Sequence, residues 1–144
     1  MAEAARSANS GPGYAKNPDY RIDIVPAGKQ VRVEVDGQVI ADSSNVLLMK
    51  EQNHQPVCYF PIDDIDMALF EPTEHSTHCP YKGDASYWTL TVGDRVLEDV
   101  MWGYKAPCDE VAAIKGHVAF YRDRVDNWYE DGELLLGSAH GGAR

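Results

Sequence analysis

The sequence predicts a mainly β domain, either a barrel or a sandwich of about eight to ten short strands with minor helices. Apolar and polar residues alternate with a period of two over several stretches, as in half-buried strands. Turn signals recur about every 8–12 residues, which is typical of all-β domains. The long helical patterns of a βαβ nucleotide-binding fold are absent from the sequence.

The first half of the chain is expected to form strands at residues 21–25, 31–35, 38–42, 46–50 and 57–60. In the second of these, Val31, Val33 and Val35 share one face, which makes it a half-buried strand. Asp36-Gly37 is a strong signal for a two-residue hairpin, so the third strand is expected to pair with the second. The fourth run is short and apolar, as in a strand buried on both faces.

The second half opens with Pro61, which together with the acidic residues after it favours one or two helical turns. Strands are expected at residues 84–92, 96–103, 118–121 and 134–136, with a short helix at 110–114. Gly93-Asp94 and Asp131-Gly132 are the turn signals in this half. Residues 125–129 fit either a strand or a helical turn.

The chain of 144 residues has the size of one domain. Residues 1–19 are rich in small and polar residues and are expected to be disordered or loosely ordered. Residues 20–136 are expected to form the single β domain, and residues 137–144 a flexible tail.

The amino-acid composition excludes several classes of binding partner. The net charge of −10 and the pI of about 4.8 argue against a nucleic-acid partner. No stretch has the apolar length of a signal peptide or a membrane span, so a cytoplasmic protein without a membrane partner is expected. Cys58, Cys79 and Cys108 are odd in number and lack C-x-x-C spacing, which argues against a disulfide framework and a zinc site. No cofactor is predicted.

The segment THCPYKGDASYW, residues 77–88, concentrates reactive side chains in one turn. Pro80 and Gly83 are suited to a tight turn that displays Tyr81 and Lys82. One interpretation is a plain hairpin with an exposed lysine and a packed thiol. The alternative is a cleft in which Lys82 binds an anion or acts as a base or nucleophile, with Cys79 reactive as its thiolate. Cys79, Lys82 and Tyr81 are therefore the catalytic candidates.

The stretch just before this turn is rich in groups that can ligate metals. Two histidines and two glutamates precede Cys79 within nine positions. Their spacing matches no established metal motif, and a solvated polar loop is the simpler expectation. No metal is predicted, and His75 and His78 would be the candidates if one were bound.

Aromatic residues are concentrated on the two strands joined at Gly93-Asp94. Trp102 and Tyr104 share a face by the period of two, and Tyr87 or Trp88 should lie within a few pairs of them. Such a cluster can be simple core or a cage for a planar or cationic small molecule. The residues predicted to bind a ligand are Tyr81, Lys82, Tyr87, Trp88, Trp102 and Tyr104.

The chain resembles the domain of unknown function 427 family in five stretches. They are VRVEVDGQVIADS (31–43), VCYFPIDDIDMALFEPTE (57–74), THCPYKGDASYW (77–88), EDVMWGYKAP (98–107) and GHVAFYRDRVDNWYE (116–130). The resemblance spans residues 20–136. It implies a compact antiparallel β-tent, or Mss4-like, fold in which two sheets meet along one edge, with one or two short helices. The C-x-x-C zinc knuckles of other β-tent families are missing here, so zinc is not carried over.

The family is also labelled nucleotidyltransferase-like, which implies a Gly-Ser motif followed by an acidic metal pair. Gly137-Ser138 has no acidic pair after it, so this activity is not expected. The sequence therefore predicts small-molecule binding in an aromatic pocket beside the Cys-Pro-Tyr-Lys-Gly turn. It leaves open a transferase- or reductase-like enzyme using Cys79 or Lys82, and a homodimer or partner-docking domain formed through exposed strand edges.

Overall fold

The computed structural model describes residues 9–136, and this part of the chain is mainly β, as predicted. It contains β1 (Ile22–Pro26), β2 (Val31–Val35), β3 (Gln38–Ser43), β4 (Leu47–Glu51), β5 (Val57–Pro61), β6 (Phe70–Cys79), β7 (Gly83–Val92), β8 (Arg95–Tyr104), β9 (His117–Phe120), β10 (Asn127–Glu130) and β11 (Glu133–Leu136). Residues 1–8, the first part of the loose segment predicted at 1–19, and the whole tail predicted at 137–144 lie outside the described residues.

The strands form two antiparallel sheets, which confirms the two-sheet prediction. The larger sheet has the order β1–β4–β5–β9–β8–β7–β6, and the smaller has the order β11–β10–β2–β3. Within residues 9–136 neither sheet closes on itself, so the alternative of a barrel is wrong. The β-tent arrangement stays a prediction.

Two hairpins form where the sequence predicts them. Asp36 and Gly37, between β2 and β3, have φ angles of 50° and 75°. Asp131 and Gly132, between β10 and β11, have φ angles of 50° and 82°. Two successive left-handed residues are what a type I′ turn requires, and Asp-Gly is a preferred pair for it. The first turn pairs β3 with β2 and the second pairs β11 with β10, while β10 pairs with the other edge of β2.

The polar stretch before Cys79 was expected to be a loop, and that expectation is wrong. It belongs to β6, which pairs with β7 along its length except for an irregularity between Pro72 and Ser76. β6 is an edge strand with mostly exposed side chains, so it needs no apolar alternation and tolerates a proline. Residues 125–129, left open by their spacing, contain the start of β10.

The predicted helical segments are short 3-10 turns. They lie at Ile62–Asp64, Met67–Leu69 and Asp109–Ile114, with further turns at Pro12–Ala15 and Arg122–Arg124. The segment Asp109–Ile114 buries Val111 and Ile114 against the larger sheet. Within the part of the chain that the structure describes, no helix is long and apolar enough to cross a membrane.

The larger sheet is covered on both faces. A main core contains residues of both sheets, among them Val33 of β2, Phe60 of β5 and Trp88 of β7. A second core contains Tyr59 and Tyr87 together with side chains of the segment Asp109–Ile114. Because neighbouring strand residues point to opposite faces, Tyr59 and Phe60 enter different cores, and so do Tyr87 and Trp88.

Phe60 lies at the centre of the main core and is fully buried. Its ring meets the rings of Phe120 and Trp128 at centroid distances of 5.4 and 5.7 Å, both nearly edge-on. Such geometry is favourable beyond the buried area alone. Phe60 therefore joins β5 and β9 of the larger sheet to β10 of the smaller one.

The substitution Phe60→Ala should lower the free energy of unfolding by about 3–5 kcal/mol, because it leaves a cavity between the sheets. Urea unfolding followed by circular dichroism measures this loss. The control is Val96→Ala, since Val96 is 55% exposed and its truncation should cost less than about 0.5 kcal/mol. Similar losses for both variants would contradict the placement of Phe60.

Candidate functional site

The Cys-Pro-Tyr-Lys-Gly turn joins two strands tightly. Cys79 at the end of β6 pairs directly with Gly83 at the start of β7, and the Lys82 amide donates to the Cys79 carbonyl oxygen at 3.3 Å. Gly83 has a φ of 115°, a conformation that a residue with a side chain rarely adopts. A Cβ atom there would also lie 3.3 Å from the carbonyl oxygen of Ala106. The glycine thus fixes the path of the chain just after Lys82.

Lys82 forms an ion pair with Glu51, the last residue of β4. Its Nζ lies 2.7 Å from Glu51 Oε1, and the two side chains are 16% and 9% exposed. The Tyr20 hydroxyl donates to the other carboxylate oxygen, and His54 Nε2 lies 3.7 Å from that oxygen. Burial acts to raise the pKa of Glu51, but the hydrogen bonds from Lys82 and Tyr20 outweigh it and lower the pKa.

A cavity of about 380 Å³ opens beside this ion pair. Its walls are aromatic and apolar, and its polar groups come from the ion pair and the loop after β4. The lining residues are Met49, Glu51, His54, Gln55, Val57, Tyr59, Lys82, Tyr87, Trp102 and Tyr104. We call this the first cavity. It combines flat aromatic faces with one half-buried cation and one half-buried anion.

The aromatic walls hold one another in place. Trp102 Nε1 donates to the Tyr59 hydroxyl at 3.3 Å, and the two rings are nearly perpendicular. The Tyr121 ring packs against Trp102 at a centroid distance of 4.7 Å. Burial raises the pKa values of Tyr59 and Tyr104, so both phenols stay neutral at physiological pH. Neutral phenols retain a proton that they can donate.

Tyr87 is fixed from the side of β6. Its hydroxyl lies 2.9 Å from Thr77 Oγ1, and the His75 ring packs against its ring at 4.4 Å. His78 instead pairs with Asp84, with 2.7 Å between Nδ1 and Oδ1, on the exposed side of the hairpin. Within residues 9–136 no group of three or more histidine, cysteine or acidic side chains is arranged to hold a metal ion.

Tyr81 faces the N-terminal segment and does not line the first cavity. Its ring stacks on Tyr20 at 3.8 Å and meets Tyr14 edge-on at 5.2 Å. Asn17 Nδ2 donates to its hydroxyl at 2.9 Å, and the Gly13 amide donates to the Pro80 carbonyl at 2.9 Å. The described part of the predicted loose segment therefore packs on the turn, with Tyr14 buried.

Of the six predicted ligand-binding residues, the structure brings four together. Lys82, Tyr87, Trp102 and Tyr104 line the first cavity, whereas Tyr81 and Trp88 do not. Tyr87 pairs with Trp102 in the β7–β8 register, as the turn signal implies. Trp88 points to the opposite face of the sheet and joins the main core.

Sequence reasoning missed the partners of Lys82. Glu51, which accepts from Lys82, precedes it by 31 residues, and Tyr20, which donates to Glu51, is further away still. The position of Glu51 directly after an apolar strand was the only available signal, and such a carboxylate is usually solvated. Tyr59 belongs to a strand that the sequence predicts. Which core its side chain enters depends on the strands that pair with β5, and the sequence does not show those.

The three cysteines are free thiols. Burial raises the pKa of Cys58 to about 11 and also raises that of Cys108, so both are poor nucleophiles at neutral pH. Cys79 is half-buried at the end of β6. Its predicted catalytic role stays a prediction.

The fold and the site define a small two-sheet β domain that carries an aromatic cavity with a half-buried ion pair beside the turn between β6 and β7. Residues 23–131 match the family model described as "Domain of unknown function (DUF427)", and the chain belongs to this family. The match confirms the resemblance seen in the sequence. No curated protein matches the chain.

At pH 7, Glu51→Gln should lower the free energy of unfolding by about 2 kcal/mol, because Lys82 loses its charged acceptor. The lowered pKa means that this contribution is present above the unfolded-state pKa of about 4.3 and is lost as pH falls through the folded-state value. The difference between wild type and variant should therefore shrink below about pH 4.3. Urea unfolding at a series of pH values measures it.

The control for this experiment is Glu74→Gln, because Glu74 is exposed on β6. Its substitution should leave stability unchanged within about 0.5 kcal/mol at every pH. A difference for Glu51→Gln that stays constant from pH 7 to about pH 3 would show that the ion pair does not stabilise the fold through its charge.

Proposed function

We propose that this protein binds a small planar molecule in the first cavity, beside the Cys-Pro-Tyr-Lys-Gly turn. The observation that carries the proposal is the convergence of Tyr59, Tyr87, Trp102 and Tyr104 with the Lys82–Glu51 pair on one cavity. Its volume of about 380 Å³ falls within the range of small-molecule sites. Aromatic walls with a few fixed polar groups are also typical of such sites.

The polar groups favour a neutral ligand. Lys82 and Glu51 neutralise each other, so a charged ligand would leave one half-buried charge without a partner, which is unfavourable. A neutral heterocycle with adjacent donor and acceptor groups avoids that cost. Its acceptor can face Lys82, its donor can face Glu51, and its ring can lie against Trp102. Cyclic imides and nucleobases have this pattern.

The alternatives raised from the sequence have less support. The Lys82 ammonium is engaged with Glu51, and an ammonium group has no free electron pair for nucleophilic attack. Tyr81 is packed under Tyr14 and Tyr20, away from the first cavity. An enzyme using Cys79 or Lys82 and a homodimer through a strand edge stay predictions.

Binding can be tested with a panel of nucleobases and cyclic imides together with their N-methylated analogues. At least one compound should raise the melting temperature and change tryptophan emission, because a ligand at 100 times its Kd adds about 2.7 kcal/mol of stability. The N-methylated analogue should bind at least about tenfold more weakly, since it cannot donate to Glu51.

The variant Trp102→Phe should weaken binding of the same compound at least about tenfold by removing the larger ring surface. Trp88→Phe is the matched control, because Trp88 lies on a neighbouring strand but faces the main core. Isothermal titration calorimetry measures both. Equal effects of the two substitutions, or no binding by any compound in the panel, would overturn the proposal.

A further inference from the structure

A second cavity, of about 240 Å³, lies next to Trp88, the aromatic residue that faces away from the first cavity. Its lining includes Ile62, Trp88, Lys105, Lys115, His117 and Val118. The two cavities share only Tyr104 among their lining residues. The second cavity is therefore a separate site, and nothing in the proposed function uses it.

The floor of the second cavity is apolar and closely packed. Trp88 and Val118 are buried, with exposures of 7% and 0%. Gly103 lies between them, and a Cβ atom there would be 2.9 Å from the His117 carbonyl oxygen and 3.6 Å from the Trp88 ring. Because Gly103 has no side chain, the ring edge of Trp88 can approach the backbone of β8. This floor can accept a ring or a short aliphatic group.

The rim of the second cavity is cationic. Lys105 Nζ lies 5.7 Å from the centroid of the Trp88 ring, and Lys115 is exposed on the other side. His117 Nδ1 donates to the Lys115 carbonyl oxygen at 3.1 Å, which fixes the imidazole ring at the start of β9. Neither lysine has an ion pair with a carboxylate within residues 9–136. None of the residues lining this cavity is acidic.

This charge pattern is the reverse of that of the whole chain. The protein has 23 acidic and 13 basic residues, so a region with two lysines and no carboxylate is a local exception. Lys29 and Lys82, by contrast, are each paired with a glutamate. The overall negative charge is screened beyond about 8 Å at physiological ionic strength, so an anion inside the cavity experiences mainly the nearby ammonium groups.

We propose that the second cavity binds a small aromatic monocarboxylate. The ring lies on the apolar floor against Trp88, and the carboxylate accepts hydrogen bonds from Lys105 and Lys115 at the rim. Charge-assisted hydrogen bonds of this kind are stronger than neutral ones. The proposal rests on the coincidence of an apolar floor with two unpaired ammonium groups and is independent of the first cavity.

The test uses the full chain labelled with ¹⁵N and two probes of the same shape, 4-methylbenzoate and 4-methylbenzamide. The amide signals of Gly103 and Gly116 report on the site, since both residues line the second cavity. The carboxylate should shift both signals, and the carboxamide should bind at least about tenfold more weakly. Raising the salt concentration should weaken binding of the carboxylate only.

The double variant Lys105→Gln/Lys115→Gln should lose at least about tenfold in affinity for 4-methylbenzoate. Lys50→Gln is the control, because Lys50 is exposed on β4 and lines neither cavity. The spectrum of each variant shows whether it is folded. If the double variant proves unfolded, each single variant should still lose affinity relative to the control.

Three results would overturn the proposal. They are equal affinities for the carboxylate and the carboxamide, unchanged affinity in folded lysine variants, and shifts confined to residues outside the second cavity. A negative result for the second cavity does not affect the proposal for the first cavity, because the probes and the substituted lysines belong to the second cavity alone.

Discussion

Neighbouring residues of a β-strand point to opposite faces, and in this protein both faces of the larger sheet are covered. Each central strand must therefore supply two different cores with alternate residues. The pairs Tyr59–Phe60 and Tyr87–Trp88 show the result, since one member faces the second core and the other the main core. Both cavities follow from this constraint, because each opens where one of the two aromatic layers reaches the surface.

Much of the fold is readable from the sequence, because alternation and turn chemistry are local properties. The Asp36-Gly37 and Asp131-Gly132 hairpins form where the dipeptides occur. β6 was missed because an edge strand needs no apolar face, so its residues look like those of a loop. Lys82 and Trp102 could be predicted from the turn and the period of two. Glu51 could not, because its contact with Lys82 depends on which distant strands lie near each other.

The positions of the charged side chains say more about the two cavities than the net charge of the chain does. The net charge of an acidic chain does not describe every part of its surface. In this protein the lysine side chains differ in whether a carboxylate lies beside them. Lys82 is held by a half-buried carboxylate, whereas Lys105 and Lys115 have no acidic partner within residues 9–136. A lysine paired with a carboxylate can donate a hydrogen bond in a fixed direction without adding net charge to the site. Lysines without a carboxylate partner instead attract an anion. The two proposals therefore differ in the charge of the ligand, which is neutral for the first cavity and anionic for the second.

The hydroxyl that completes the environment of Glu51 comes from Tyr20, which precedes the residues that define the family match. The lining residues of the first cavity thus lie within the matched residues, whereas the hydroxyl that donates to their carboxylate lies outside them. Replacement of Tyr20 would remove the hydrogen bond to Glu51 and the ring that stacks on Tyr81, while the residues of the paired strands stay the same. Under the proposed function, a substitution at Tyr20 therefore changes a polar contact beside the ligand without changing any residue of the family match.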